Sequence, residues 1–185
     1  MMKTNKLITL LLTLAMLVSM SSFAVFADDE TGRDTNETSE ITHVKDFSPA
    51  TGLGIVIGGK YVDQPGDYGP GNIGTIKSGS VYYDGSGTLT LKGVTIEGPQ
   101  PGEGWCGIEA YGMDLTIILE GTNSITSKYR GIGLVGDNCS LNIKGNDKGN
   151  GTLTIEALYT GIYFNGNNGL TISDKATVNS KSTYH

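Results

Sequence analysis

The sequence predicts an all-β fold, a right-handed parallel β-helix of about four rungs, from a repeat and from the alternation of apolar residues within it. A Gly-Ile pair recurs at Gly107, Gly131 and Gly161, first after 24 residues and then after 30. Each pair is followed by a second apolar residue, a glycine and a Leu-x-Ile segment. Alternation with period two is typical of strands with one buried face. Such short strands become stable when successive copies stack at about 4.8 Å around a shared core. The alternative is an all-β sandwich of hairpins, but the persistent period favours the β-helix.

The N-terminal part of the chain predicts export. Residues 1–27 begin with Lys3 and Lys6, continue with an apolar core and end in small residues, which is the pattern of a cleaved signal peptide. Residues 28–50 are polar and acidic, and we expect a flexible linker there. The folded domain is predicted to cover residues 51–185.

Within that domain we expect an N-terminal cap at 51–78 and repeats at 79–185. The cap contains a predicted strand pair that turns at Gly58-Gly59. The stretch 63–74 is rich in Pro and Gly, which predicts a loop. A looser copy of the repeat is expected at 79–98.

The later repeats suggest one insertion and one missing cap. Residues 146–151 are expected to form a tight turn that accounts for the longer spacing between the second and third copies. The repeat continues to Ser180 and no cap follows, although a solenoid end without a cap exposes apolar edge. We therefore expect a β-helix that is incomplete at its C-terminus and a chain that is a fragment of a longer protein.

Charge and cysteine content exclude several classes of function. The net charge of the full sequence is −6, and removal of the two lysines in residues 1–27 makes it −8. An acidic domain is a poor candidate for binding nucleic acid or an anionic membrane. The two cysteines, Cys106 and Cys139, are expected to be separate buried residues, because the repeat register does not place them side by side.

No pattern in the sequence predicts an enzyme. His43 and His185 lie in the linker and at the terminus, so neither suits a catalytic triad. Glycosidases need two facing carboxylates, whereas the repeat places Glu109 level with a glycine and a tyrosine. Arg130, the one arginine of the folded region, has no aspartate beside it in the register. Residues 54–60 resemble a phosphate-binding loop but lack the Ser or Thr and the helix that should follow.

Aromatic residues give the best candidate binding site. Trp105, Tyr129 and Tyr159 each stand two residues before a Gly-Ile pair, so stacked rungs place them in a column. Tyr111 and Tyr163 point outward from strands and would widen this surface. Such rings suit the apolar faces of sugars, and their polar groups suit hydroxyls. The alternative is an aromatic ladder that packs against itself and stiffens the solenoid.

Calcium is a possible ligand, and no other cofactor is indicated. Asp114, Asp137 and Asn138 lie near predicted turns and carry oxygen atoms of the kind that calcium prefers. Their spacing matches no calcium loop. The simpler interpretation is that these residues form the turns.

The segments "IVIGGKYVDQPGDYG", "GSVYYDGSGTLTLKGVTIEG" and "GIEAYGMDLTIILEGTNSIT" resemble a group of exported carbohydrate-binding domain-containing proteins of Gram-positive anaerobes. The resemblance covers roughly Gly52 to the end of the chain. It implies a pectate-lyase-like right-handed β-helix that contacts acidic or cellulosic polysaccharide, with calcium as a structural or bridging ion.

The predicted function is non-catalytic binding of a plant or host polysaccharide by a secreted or surface-displayed protein. The chain is expected to be a monomer or part of a longer chain, without membrane insertion after signal cleavage. The alternatives are a structural or adhesive surface segment without a small ligand, and a degenerate polysaccharide lyase.

Overall fold

The computed structural model describes residues 53–99 and 104–184. The chain separates into two units, Met1–Thr42 and His43–His185, and all of the described residues belong to the second. The predicted signal peptide and linker lie outside the described residues. Within the described ranges, no helix is long and apolar enough to cross a membrane.

Fourteen strands make up the described fold. In chain order they are β1 (Gly54–Ile57), β2 (Lys60–Val62), β3 (Gly66–Tyr68), β4 (Ile76–Tyr83), β5 (Thr88–Glu97), β6 (Cys106–Tyr111), β7 (Leu115–Glu120), β8 (Thr122–Ser127), β9 (Arg130–Val135), β10 (Ser140–Gly145), β11 (Thr152–Ala157), β12 (Thr160–Asn165), β13 (Gly169–Ser173) and β14 (Thr177–Ser182).

Strands β6 to β14 form three coils of a parallel β-helix, and each coil contributes three strands. Coil 1 is β6–β8, coil 2 is β9–β11 and coil 3 is β12–β14. The first face of the solenoid contains β6, β9 and β12, the second face β7, β10 and β13, and the third face β8, β11 and β14. All pairs between neighbouring coils are parallel, which confirms the predicted fold class.

The register of the coils follows the sequence repeat. Ile108 lies beside Ile132, which lies beside Ile162, as the alignment of the Gly-Ile pairs predicts. Leu115, Leu141 and Leu170 stack in the same way on the second face. The turn predicted at residues 146–151 connects β10 to β11.

The glycine of each Gly-Ile pair is required by a close approach at the corner between the third and first faces. A Cβ atom on Gly107 would overlap the Ile125 side chain, and one on Gly131 would overlap Ile155. The same atom on Gly131 would also lie 2.6 Å from the carbonyl oxygen of Gly161 on the next coil. Any side chain here would push the faces apart, so the glycines recur with the coil.

A cap covers the N-terminal end of the three coils. Strand β1 pairs antiparallel with β6, and β5 bends so that its two halves lie parallel to β7 and β8. Strands β1 and β2 form the predicted hairpin, which turns through Gly58 and Gly59 at φ 56° and 85°. Both angles lie in the region that favours glycine.

Two details of the cap differ from the prediction. The segment 79–98 is only partly a copy of the repeat, because its first half lies in β4 and runs antiparallel to β5. The solenoid therefore has three coils and a cap instead of four equivalent rungs. The stretch 63–74 contains the short strand β3, which pairs with β4 and so is not entirely loop.

The interior contains one polar side chain that holds several strands together. Asn123 is fully buried on β8, level with Leu153 of β11. Its side-chain oxygen accepts a hydrogen bond of 2.9 Å from the Val94 backbone N–H, and its amide donates to backbone carbonyls that include Thr152 O at 3.2 Å. One amide thus connects the cap, coil 1 and coil 2, because a buried amide must satisfy both of its ends.

Candidate functional site

Four aromatic rings form a continuous column along the corner between the third and first faces. The ring centroids of Trp105 and Tyr129 are 5.1 Å apart in an edge-to-face contact. Tyr129 and Tyr159 stack with an angle of 11° at 5.9 Å. Tyr159 and Tyr184 follow at 4.9 Å. The three residues predicted to stack do so, and Tyr184 extends the column by one ring.

Backbone hydrogen bonds between coils set the spacing of this column. The Arg130 N–H donates to the Trp105 carbonyl at 3.0 Å, and the Tyr159 N–H donates to the Tyr129 carbonyl at 2.9 Å. The Tyr184 N–H donates to Leu158 O at 2.7 Å. Rings that leave the backbone at equivalent points of stacked coils must come into contact at the strand spacing.

Tyr184 was missed because no Gly-Ile pair follows it. The available signal was its spacing, since it stands 25 residues after Tyr159, close to one coil length. The Ser182 hydroxyl donates to the Tyr159 carbonyl at 2.6 Å, which holds the chain end of coil 3 against coil 2.

The column is open to solvent along most of its length. Trp105 is 58% exposed, Tyr159 46% and Tyr184 63%, whereas Tyr129 is half-buried between its neighbours. Stacking leaves ring edges and the outer faces of the end rings accessible. Exposed aromatic groups of this size that form one patch are typical of interaction surfaces.

A polar row lies near the same corner on the outer surface of the third face. Thr126, Glu156 and Lys181 are in register on β8, β11 and β14, and all three are exposed. Each stands three residues before a ring of the column. Glu97 of the cap continues the row beside Thr126. The row places hydroxyl, carboxylate and ammonium groups alongside the aromatic column.

Tyr111 and Tyr163 lie on the outer surface of the first face, away from this row. The Arg130 guanidinium lies 3.6 Å from the centre of the Tyr163 ring and covers that ring. Tyr111 is half-buried and hydrogen-bonded to Glu109. The structure therefore brings together the three column residues but gives Tyr111 and Tyr163 different surroundings.

Glu109 is the centre of a buried polar cluster that the sequence did not reveal. Its side chain points outward, as expected, but is only 4% exposed. It lies across Gly133 on the next coil, where an added Cβ would be 3.3 Å from Glu109 Oε1 and 2.6 Å from Cys106 Sγ. A glycine at this position leaves the space that the glutamate fills. Alternation correctly predicted that the Glu109 side chain points outward, but it could not predict that neighbouring residues bury it.

The groups around Glu109 hold their protons. Burial, the nearby carboxylate and a hydrogen bond to it raise the pKa of the Cys106 thiol well above its usual range. The same three causes raise the pKa of Tyr111. Both groups are neutral at pH 7 and donate hydrogen bonds to Glu109, so the buried side chain of Glu109 has polar partners.

Turn formation accounts for the acidic residues considered as calcium ligands. Asp114 Oδ1 accepts hydrogen bonds from the Ser140 backbone N–H at 2.7 Å and from its hydroxyl at 2.9 Å. Asp137 Oδ1 accepts one from the Asn167 N–H at 3.1 Å. Asn138 has φ 59°, which asparagine tolerates in turns. Across residues 53–99 and 104–184, no group of three or more His, Cys, Asp or Glu is placed to hold a metal.

The two cysteines are free and buried, as the register predicted. No family model, curated protein or solved structure matches this chain. The structure shows a parallel β-helix, and the most exposed aromatic surface among its described residues is the column Trp105, Tyr129, Tyr159 and Tyr184.

Proposed function

We propose that this chain is a secreted or surface-displayed β-helix protein that binds polysaccharide without catalysis. The observation that supports the proposal most directly is the exposure of the aromatic column, with Trp105 at 58% and Tyr184 at 63%. Sugars bind to aromatic side chains through their apolar C–H faces, while hydroxyls need nearby polar partners. The column supplies the first kind of contact.

The polar row supplies the second kind. Thr126, Glu156 and Lys181 repeat once per coil in parallel with the rings, so a linear glycan along the solenoid axis meets the same pair of elements at each step. A repeating ligand and a repeating surface match in this way because both are periodic. The glycan lies across the coils, along the corner between the third and first faces.

The way in which the acidic groups are used supports the proposal of binding without catalysis. Hydrolysis of a glycosidic bond normally requires two carboxylates on opposite sides of the bond. Glu109 is buried and hydrogen-bonded, and Glu156 is exposed beside Lys181 and Thr126. The degenerate-lyase alternative would need a cluster of acids beside a basic residue.

A structural role for the column is the second candidate, and the ring contacts favour it. Each ring touches the next, at centroid distances from 4.9 to 5.9 Å. Such pairs contribute about 0.5–1.5 kcal/mol each beyond their buried area. In this case the chain is a structural or adhesive surface segment, and the ladder stiffens one corner.

Affinity electrophoresis of the purified chain in gels containing pectin, polygalacturonate, cellulose derivatives, xylan or mucin tests the proposal. Each gel is run with calcium and with chelator. We expect slower migration in at least one glycan, and roughly tenfold weaker binding in the double variant Trp105→Ala, Tyr159→Ala, a change of about 1.4 kcal/mol. Tyr82→Ala is the matched control, because Tyr82 is exposed in the cap and outside the column.

Thermal unfolding of the same variants separates the two candidates. Lost binding with a nearly unchanged melting temperature supports the glycan site. A large fall in melting temperature, with no retardation of the unaltered chain on any glycan, supports the structural ladder. Retardation that persists in the double variant contradicts the proposed site.

A further inference from the structure

We propose that the aromatic column of Trp105, Tyr129, Tyr159 and Tyr184 relays one-electron oxidation along the corner of the solenoid. An oxidising radical takes an electron from Trp105, and the tyrosines behind it supply the electron that is then missing. The activity is an intramolecular radical transfer, and its substrate is a one-electron oxidant at the protein surface. The proposal uses the rings alone and is independent of glycan binding.

Trp105 is the point of entry for the oxidant. It is the only tryptophan of the sequence, and it is 58% exposed at the first position of the column. At neutral pH, small oxidising radicals such as the azide radical take an electron from indole faster than from a protonated phenol. Thiols would compete for such a radical, but Cys106 and Cys139 are buried. Oxidation therefore begins at the first ring of the column.

Ring contacts provide the path away from Trp105. The centroid of Tyr129 lies 5.1 Å from that of Trp105, and the centroid of Tyr159 lies 5.9 Å further along. Tyr184 follows Tyr159 at 4.9 Å. All three separations are those of aromatic rings in direct contact. The rate of electron transfer falls steeply with the gap between donor and acceptor, so these contacts favour steps from ring to ring.

The transfer from indole to phenol is favourable when the phenol proton can reach water. The oxidant removes one electron from Trp105, and the indole N–H proton goes to water. Tyr129 then gives an electron to the indolyl radical, its phenol proton goes to water, and the indole nitrogen takes a proton back. Tyr159 repeats the step and is 46% exposed, which allows proton release. In sum, one oxidant is reduced, one tyrosine becomes a neutral phenoxyl radical and one proton is released.

Three tyrosines outside the column are less suited to lose an electron. The Arg130 guanidinium lies 3.6 Å from the centre of the Tyr163 ring, and the Lys92 ammonium lies 5.2 Å from that of Tyr82. A cation over a ring opposes the removal of an electron from it. Burial raises the pKa of Tyr83, whose phenol cannot easily release its proton. The rings of the column instead pack on each other and stay partly exposed.

Pulse radiolysis of the purified chain with the azide radical at pH 7 tests the relay. Absorbance follows the decay of the indolyl radical and the rise of the phenoxyl radical, which we expect to share one rate that is independent of protein concentration. In Tyr129→Phe, which keeps the ring but not the oxidisable phenol, the transfer should be at least about tenfold slower, or about 1.4 kcal/mol in the barrier. Tyr61→Phe is the matched control, because Tyr61 is 43% exposed, close to the 46% of Tyr159, and lies outside the column.

A nitroso spin trap gives a second readout, because it adds to a ring carbon of the radical and marks the residue for peptide mass spectrometry. We expect adducts on Tyr159 or Tyr184 in the unaltered chain and on Trp105 in Tyr129→Phe. Circular dichroism checks that each variant keeps its strands. A transfer rate that increases with protein concentration, or that is equal in Tyr129→Phe, would overturn the proposal. A slower transfer in Tyr61→Phe, or adducts that do not move to Trp105 in Tyr129→Phe, would do so as well.

Discussion

The two ends of the solenoid carry the same repeat in opposite surroundings. At the N-terminal end, β1 and β5 cover coil 1, and the inward residues Ile108 and Ile117 are fully buried. At the C-terminal end, Ile162 and Ile172 occupy the same positions on coil 3 and are half-buried and 46% exposed, respectively. The comparison shows that the contribution of a repeated residue to stability depends on whether another layer of strands covers it. The residue type alone does not determine that contribution.

Truncation of one isoleucine at each end should give the largest difference in the free energy of unfolding. Ile125→Ala on coil 1 removes a fully buried side chain and should lower the free energy of unfolding by about 4 kcal/mol. Ile172→Ala on coil 3 should lower it by less than about 1 kcal/mol, because its side chain is 46% exposed. Urea unfolding of both variants measures the difference. Equal losses would mean that coil 3 is covered as well as coil 1.

Addition of a methyl group to a corner glycine should give the second-largest difference in stability. Gly131→Ala would bring a Cβ atom into the Ile155 side chain and the Gly161 carbonyl, and should cost about 3 kcal/mol. Gly169→Ala at the start of β13 meets nothing within 4 Å and should change stability by less than about 0.5 kcal/mol. Thermal unfolding compares the pair. A tolerated Gly131→Ala would contradict the steric reason given for the Gly-Ile pair.

The two amide side chains that bridge coils give a smaller contrast. Asn123→Ala leaves the buried Val94 N–H and several carbonyls without partners, so we expect a loss of about 2 kcal/mol. Asn168→Ala on coil 3 removes an acceptor from the Cys139 N–H, near solvent that can replace it, and should cost about 1 kcal/mol or less. Denaturant midpoints at constant m-value test the order. A reversed order would show that the open end depends more on such bonds than the capped end does.

The smallest expected effect is a pH dependence at the capped end. Burial alone would raise the pKa of Asp84, but hydrogen bonds from Thr88 and Ser86 outweigh it and lower the pKa from 3.8 to about 2. A lowered folded pKa means that the contribution is complete above pH 3.8 and is lost as the pH falls towards about 2. Because Asp84 is exposed, we expect its ionised carboxylate to contribute about 0.5–1 kcal/mol at most to the free energy of unfolding.

Asp84→Asn isolates that effect, since asparagine keeps the acceptor oxygen and loses the charge. Urea midpoints of both chains between pH 5 and pH 2 should converge as the pH falls. The carboxylate makes no such contribution if the two curves stay parallel.

The sequence predicted the coils well because their register depends on local, repeated signals. The Gly-Ile pairs, the Leu-x-Ile segments and the aromatic residues before Gly107, Gly131 and Gly161 all recur at the coil length and all stack as expected. Periodicity is sufficient there because each coil packs mainly on its neighbours.

The cap and the buried polar cluster around Glu109 could not be predicted in the same way. Strand β4 and the first half of β5 have the same alternation as a coil, and only long-range pairing decides that β4 runs antiparallel. The burial of Glu109 depends on Gly133, Cys106 and Tyr111, which approach it from the next coil and from along the strand. Tyr184 occupies the expected ring position of a coil without the dipeptide that marks the others.

Trp105 gives the column a property beyond packing. It is the only tryptophan in the sequence, and its ring centroid is 5.1 Å from that of Tyr129, with Tyr159 and Tyr184 beyond. Light absorbed by these three tyrosines can pass to the indole over such distances, so the tryptophan emission reports on this corner of the solenoid. A glycan on the rings or a loosened third coil changes that emission, and the chain therefore contains its own optical probe.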